Sequence, residues 1–431
     1  MSSGDTELRK RIEFIIFGGT GDLSRNKLIP AILKLKDKID LKKIYILGRN
    51  RKKFEEIKEK FKDFSELFVF VEFLAEREES YKNISSILGK ESLKVFYLAV
   101  PPDLFKEILE NVGKYLNFPE KRIVIEKPFG LSLKHAKDLN KIISVYFKEE
   151  EIFRIDHYLG KPQVQNILAF KFSNYVFSEV LNKCLVEKVE VIALEEVGVE
   201  GRKAYYEKVG VIRDMLQNHM LLLSSLIVMR LPPRAEDFHF ELKNALKRAE
   251  FESESLILGK YKSYQGKAPT FALVKLHFDD ERFTGVPFVL ATGKKLKKKL
   301  TRVCIHFKNF PKEIERLLGC VPERNLLVFE LYPEQEVSFR VNVISPLGFL
   351  RCTESINWRV SLKDVLGEIP EAYESLLLDV IRGDKTLFLD AEETEILWEK
   401  TEPLLKKEKE VLTYDDRVLI PEFAEDFISC L

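Results

Sequence analysis

The sequence predicts an α/β part followed by an α+β part. The first is a doubly wound parallel sheet; the second holds a large, mainly antiparallel sheet with helices. Three observations predict this. Up to residue 155, apolar runs of strand length alternate with helical runs, the rhythm of a parallel sheet with crossover helices. A glycine-rich turn joins the first strand to the first helix. Beyond residue 155, apolar residues alternate with polar ones at period two, as in antiparallel strands with one covered face. At 431 residues and 45% hydrophobic content, the chain is too long for one ordinary domain and rich enough for large cores. The expected division is 1–155 and 156–431.

The first strand is RIEFIIF (11–17), rich in Ile and Phe. It stops at GGTGDL (18–23), and SRNKLIPAILKLK then places Leu28, Ile32 and Leu35 at helical spacing. In a strand–turn–helix context, glycines let the backbone approach a pyrophosphate, and the helix N-terminus offers free N–H groups to it. Gly18 and Gly21 give G-x-x-G rather than the full dinucleotide fingerprint, and such a turn by itself is often only a turn. The second strand, KKIYILG (42–48), is followed by Arg49 and Arg51. A carboxylate here would accept the ribose hydroxyls of NAD; an arginine suits a ribose 2′-phosphate. These residues therefore favour NADP over NAD, which stays possible as a secondary cofactor. The alternative is that both arginines merely open a solvated basic helix. KVFYLAVPP (94–102) and RIVIEKPFG (122–130) are two further strands, each ending at proline. Ligands bind at the carboxyl ends of such strands, so Ala99, Pro101, Glu126 and Lys127 are expected at the cofactor site.

In the second part, VEVIALEEVGV (189–199), TFALVKLHF (270–278), PFVLATG (287–293), TRVCIHF (301–307), LLVFEL (326–331) and EVSFRVNVI (336–344) read as strands. VIRDMLQNHMLLLSSLIVMRL (211–231) and EAYESLLLDVIRG (371–383) read as helices. The run GKKLKKKL (293–300) is, on charge alone, a solvated edge or hairpin.

Composition excludes several classes. Lys plus Arg number 70 against 69 Asp plus Glu, so no global field recruits nucleic acid or an anionic membrane. No apolar run reaches a membrane-spanning length, and MSSGDTELRKR lacks a signal-like apolar segment. The five cysteines show no C-x-x-C pair and no zinc spacing. They read as buried free thiols of a cytoplasmic protein, with no metal.

One stretch is unusually dense: FRIDHYLGKPQVQNI (153–167) packs Asp156, His157, Tyr158 and Lys161 into six positions. In the long helix, His219 follows Asp214, Gln217 and Asn218. A lone helical histidine is more often a satisfied structural residue. Yet Glu195, Glu196 and Arg202 lie just upstream, and acids beside a near-neutral base can bind sugar hydroxyls and remove a proton.

GGTGDLSRNKL, EKPFG, RIDHYLGK, EGRKAYYEKVGVIRDMLQNH, GVPFVLATGKKL and EAYESLLLDVIRGDKTLF occur in this order over nearly the whole chain. Together they resemble the glucose-6-phosphate dehydrogenase family, and RIDHYLGK is the most specific of them. The resemblance implies an N-terminal NADP-binding, Rossmann-like domain and a C-terminal substrate-binding and dimerisation domain. It implies NADP-linked oxidation of glucose 6-phosphate at carbon 1, the entry to the oxidative pentose phosphate pathway, by a cytoplasmic homodimer or homotetramer. His157, Tyr158 and Lys161 would hold the 6-phosphate, Asp156 would serve catalysis, and His219 would be the general base. Lys127 would bind substrate near the reacting centre and also line the cofactor site. Glu195 and Asp214 would accept hydrogen bonds from sugar hydroxyls, and Lys294 and Lys299 would reach the substrate. Gly18, Gly21, Asp22 and Leu23 match the cofactor turn, and Arg51 the 2′-phosphate contact.

The match has departures. Ala291 stands where the family commonly has Arg, Phe283 where it has Trp, and segment 231–270 is short. A second, structural NADP is therefore not expected. The rival enzyme is another NADP-linked sugar or sugar-phosphate dehydrogenase of the glucose–fructose oxidoreductase superfamily, which explains 1–130 but not RIDHYLGK. A non-catalytic NADP sensor on the same fold should have lost Asp156 or His219.

Overall fold

The computed structural model describes residues 10–344, 353–367, 371–407 and 409–431. Its strands are β1 (Arg11–Phe17), β2 (Asp40–Gly48), β3 (Phe68–Glu72), β4 (Leu93–Leu98), β5 (Lys121–Ile125), β6 (Ile152–Ile155), β7 (Val186–Leu194) and β8 (Ala249–Tyr261). Then come β9 (Phe271–Phe278), β10 (Phe288–Gly293), β11 (Leu300–Phe307), β12 (Leu326–Tyr332), β13 (Glu336–Ile344), β14 (Thr353–Ser361), β15 (Phe388–Leu389) and β16 (Val411–Tyr414).

The chain forms two compact units. One comprises Met1–Lys161 with Pro370–Glu395; the other comprises Pro162–Ile369 with Ile396–Leu431. A division at residue 155 puts the returning segment 370–395 with the second part, whereas here it joins the first.

The first unit holds a seven-stranded sheet in the order β15-β6-β5-β4-β1-β2-β3. β1 to β6 run parallel, and β15 closes the edge antiparallel to β6. The chain starts in the middle of the sheet, winds outward through β2 and β3, then crosses to β4. That reversal is the switch point where doubly wound sheets open a crevice for ligands. Burial of Phe14, Ile16, Ile44, Ile46, Val95 and Tyr97 drives the sheet together. The helix Ala372–Arg382 adds Leu376, Leu377, Val380 and Ile381 to the same core, all fully buried.

The second unit holds a nine-stranded sheet in the order β14-β13-β12-β11-β7-β10-β9-β8-β16. Its pairings are antiparallel except β7–β10 and β8–β16. The mainly antiparallel sheet matches the alternating pattern read from the sequence.

The cysteine expectation is corrected. Cys304 on β11 and Cys430 near the C-terminus form a disulfide, with Cα atoms 6.5 Å apart and 126 residues between them in sequence. That separation hides the pairing from any spacing rule. In the chain-entropy account, closing a loop of this size is worth about 4–5 kcal/mol. Cys320 is also disulfide-bonded. Cys184 is free, but exposed rather than buried. Cys352 and residues 1–9 of the N-terminal stretch lie outside the described residues.

Candidate active site

Each unit carries one group of the predicted residues, and in each the strand register assembles it. In the first sheet Phe17 pairs with Leu98, Leu98 with Ile125, and Ile125 with Arg154. The strands therefore end nearly level. Gly18, Ala99, Glu126 and Asp156 follow them along one carboxyl edge.

The glycine turn is shaped for close approach. Gly18 has φ +77°, and a Cβ there would sit 2.3 Å from the Ala99 carbonyl oxygen. The Gly21 N–H donates to Gly18 O at 2.9 Å, closing the turn before the helical run that starts at Ser24. Gly18, Gly21, Asp22 and Leu23 thus lie in one tight turn with Ala99 packed against Gly18, and Pro101 follows in the loop after β4. Only glycine fits at position 18, because a Cβ would collide with the Ala99 backbone and the positive φ strains any other residue; a tight turn of this kind, at a strand end before a helix, suits the close approach of a dinucleotide pyrophosphate. β2 ends beside β1, since Phe17 pairs with Leu47. Arg51 then opens the helix Arg51–Lys60, capped by the Asn50 side chain, which accepts from Lys53 N. The Arg51 side chain is 78% exposed and lies 3.9 Å from Glu55. It is therefore held only loosely. With NADP and NAD compared by steady-state kinetics, Arg51→Ala is expected to raise KM for NADP by about ten- to a hundredfold. KM for NAD should hardly move. Equal weakening of both would make Arg51 a helix residue only.

At the ends of β5 and β6 the site turns ionic. Lys127 precedes a cis peptide to Pro128. Asp156 is 1% exposed and accepts the Tyr158 N–H at 2.8 Å. Burial pushes its carboxyl up from the ordinary value, while His157, the Tyr158 N–H, Lys127 and Lys161 pull the other way. The backbone turns tightly here, Leu159 N to Asp156 O and Lys161 N to Tyr158 O. This sets Lys161 Nζ 3.6 Å from the Tyr158 ring centroid and the His157 ring 5.2 Å from the same ring. One short turn thus joins a buried carboxylate to three cationic or hydroxyl donors.

Two residues behind this edge escaped the sequence reading. Tyr97 and Tyr373 both donate hydrogen bonds to Glu126 Oε1, the latter at 3.1 Å. Burial raises the Glu126 carboxyl despite them. The phenols fix the residue that leads into Lys127. The signal was Tyr373's place in EAYESLLL, which read only as an amphipathic helix.

The second unit repeats the device. Gly293 and Leu300 both pair with Leu194, so β7, β10 and β11 meet at one edge. Glu195, Lys294 and Lys299 lie just past it. Lys294 is 5% exposed. Its Nζ reaches Asp214 at 2.9 Å and also pairs with Glu195. Burial opposes its charge, but the two carboxylates hold its pKa above the ordinary lysine value. Lys299 is not part of that trio: its Nζ lies 4.1 Å from the Tyr332 ring centroid.

His219 and Asp214 share the helical run Ile212–Met220, which is bonded in π rather than α fashion and packs against β10. In an α-helix residues five apart diverge; in an i to i+5 helix they fall near one face. The π turn thus brings Asp214 and His219 onto a common side. It follows Gly210, whose φ of +63° breaks the preceding helix. His219 is 1% exposed, and its N–H donates to Asn218 Oδ1 at 2.6 Å.

The family model for the glucose-6-phosphate dehydrogenase NAD-binding domain matches residues 15–166, and that for the family's C-terminal domain matches 168–430. The glucose-6-phosphate 1-dehydrogenase of Borreliella burgdorferi is 33% identical over 92% of this chain and 91% of its own. That of Emericella nidulans is 32% identical over 93% of this chain and 86% of its own. A solved glucose-6-phosphate dehydrogenase in complex with glucose 6-phosphate superposes with a TM-score of 0.86 at 26% identity, covering 97% of both chains.

Proposed function

The chain belongs to the glucose-6-phosphate dehydrogenase family, and on that premise we propose that it oxidises D-glucose 6-phosphate at carbon 1 to 6-phospho-D-glucono-1,5-lactone, with NADP+ as the hydride acceptor. The family match across both units carries the activity. NADP over NAD rests on Arg51 and on the lack of a carboxylate in Arg49–Asn50–Arg51 after β2. The nicotinamide supplies the hydride acceptor when bound. The rest of the chemistry belongs to this chain. His219 takes the carbon-1 hydroxyl proton, a step that needs a base near neutrality. Asp156 serves catalysis as a buried carboxylate, and Lys127 holds the substrate near its reacting end. His157, Tyr158 and Lys161 grip the 6-phosphate with charge-assisted donors. Glu195 and Asp214, tied by Lys294, accept hydrogen bonds from sugar hydroxyls, and Lys299 extends the cationic edge.

The deciding assay follows reduced nicotinamide by its near-ultraviolet absorbance. NADP and NAD are each offered with glucose 6-phosphate and with free glucose. Fast reduction of NADP with glucose 6-phosphate alone supports the reading. A preference for free glucose or another sugar phosphate would favour the rival superfamily enzyme.

No helix among the described residues is long and apolar enough to cross a membrane; a cytoplasmic site of action is our proposal. So is assembly as a homodimer or homotetramer. β14 lies at the end of its sheet and exposes Ile356, Trp358 and Val360, with Trp358 62% accessible. Apolar residues alternating along an edge strand invite a second copy of the chain. Light scattering after gel filtration should find an oligomer that Trp358→Glu breaks to a smaller species. A wild-type monomer would overturn this.

A further inference from the structure

Three metal-ligand side chains, Glu190, His306 and Cys430, meet in the second unit's sheet away from the β7–β10–β11 edge that carries Glu195 and Lys294, and Cys304 is tied to them through its disulfide to Cys430. Cys304 and His306 are two residues apart on β11, so they share a face. Glu190, on β7, pairs directly with Cys304. Cys430 arrives from the C-terminal stretch and is bonded to Cys304. Ligand atoms of Glu190, His306 and Cys430 all lie within 4.8 Å of one another. His306 Nε2 is 3.3 Å from Glu190 Oε1. The atom is buried and, among the described residues, makes no hydrogen bond of good geometry.

The carboxylate is already aimed. Glu190 Oε2 accepts the Cys430 N–H at 3.0 Å, and Oε1 accepts the Ser429 hydroxyl at 2.8 Å. Both oxygens also receive the Ser429 N–H. Such outer contacts orient metal-binding carboxylates. Lys188 Nζ also touches Oε1, at 2.6 Å, from a side chain 25% exposed. It has room to withdraw toward water and still offset the site's negative charge.

We propose that reduction of the Cys304–Cys430 disulfide turns this cluster into a Zn²⁺ site whose ligands are both thiolates, His306 Nε2 and one Glu190 oxygen. A dithiol reductant supplies two electrons and two protons. The S–S bond breaks, two thiols form, and the reductant closes to its own disulfide. Zn²⁺ then displaces the two thiol protons. Tetrahedral zinc with Zn–S near 2.3 Å puts its sulfurs roughly 3.8 Å apart. The 6.5 Å Cα spacing accommodates that by side-chain rotation. Two thiolates, an imidazole and a carboxylate suit zinc better than hard cations. In a reducing compartment the dithiol is the resident form, so the metal would replace the disulfide as the anchor of the C-terminal stretch. Spacing along the chain gives no sign of this site, because only Cys304 and His306 are near each other in sequence.

The test uses the full chain and Co²⁺, the visible stand-in for Zn²⁺. Protein is reduced with dithiothreitol, freed of it by anaerobic gel filtration, and titrated with Co²⁺. Reduced protein is expected to bind one equivalent with a near-ultraviolet thiolate-to-cobalt band, and oxidised protein to show none. Cys304→Ser and His306→Ala should each weaken binding by about 100-fold or more, beyond what loss of a mere outer contact costs. Cys184→Ser should change nothing. Circular dichroism checks that the variants fold, and if Cys304→Ser does not, His306→Ala decides. Absence of the band in reduced protein, its survival in His306→Ala, its loss in Cys184→Ser, or a thiol count showing that the disulfide resists reduction would each overturn the proposal.

Discussion

His219→Asn is expected to lower kcat by about 10²–10⁴, the range for removing a general base, with KM for glucose 6-phosphate little changed. Asparagine is close in size and keeps a polar side chain but cannot accept a proton at neutral pH. The site should survive the change, because the helix holds residue 219 by its backbone, N–H to Asn218 Oδ1. An effect on kcat without one on KM means that the lost interaction matters only as the proton leaves. Near-wild-type turnover would sink the assignment. Asp156→Asn should also be slow, by a comparable or smaller factor, since it removes a buried carboxylate but no base.

Lys161→Ala should raise KM for glucose 6-phosphate by roughly ten- to a hundredfold, from charge-assisted hydrogen bonds of about 1.5–3 kcal/mol each. Turnover at saturation should fall less, because the phosphate lies at the far end of the sugar from carbon 1. Some loss is still expected, as remote binding energy orients the reacting end. Free glucose supplies the control: it has no phosphate, so its rate should hardly change. Lys161 also lies over the Tyr158 ring. A variant impaired equally with both sugars would mean that the lysine only props that ring.

The sequence made the parallel strands legible because their apolar runs stop at glycine or proline. It was less informative where a strand carries mixed faces. AEFESESLILGKY and TESINWRVS are β8 and β14, yet their charges masked the alternation. FVFVE, which is β3, was too short to stand out. Candidate site residues stand out in the sequence where they cluster along the chain, as from Asp156 to Lys161. Partnerships across the chain do not. Lys294 between Glu195 and Asp214 joins three separate segments. The two phenols on Glu126 come from positions 97 and 373. The π bonding around His219 leaves no mark in hydrophobic period, since neighbouring turns on either side are apolar.

The return of the chain to its first unit governs the order in which the protein can be made. Leu376, Leu377, Val380, Ile381 and Phe388 belong to the same core as Phe14 and Ile46. On the ribosome, the nucleotide-binding half must therefore wait, its sheet edge and one core face bare, while more than half of the polypeptide is still being synthesised. The second unit's main segment, Pro162–Ile369, emerges in that interval as an insertion within an unfinished neighbour. A fragment ending at Lys161 would lack those five side chains, so it should emerge sticky and poorly soluble rather than as a free-standing domain. Appending 370–395 through a flexible linker should rescue its solubility.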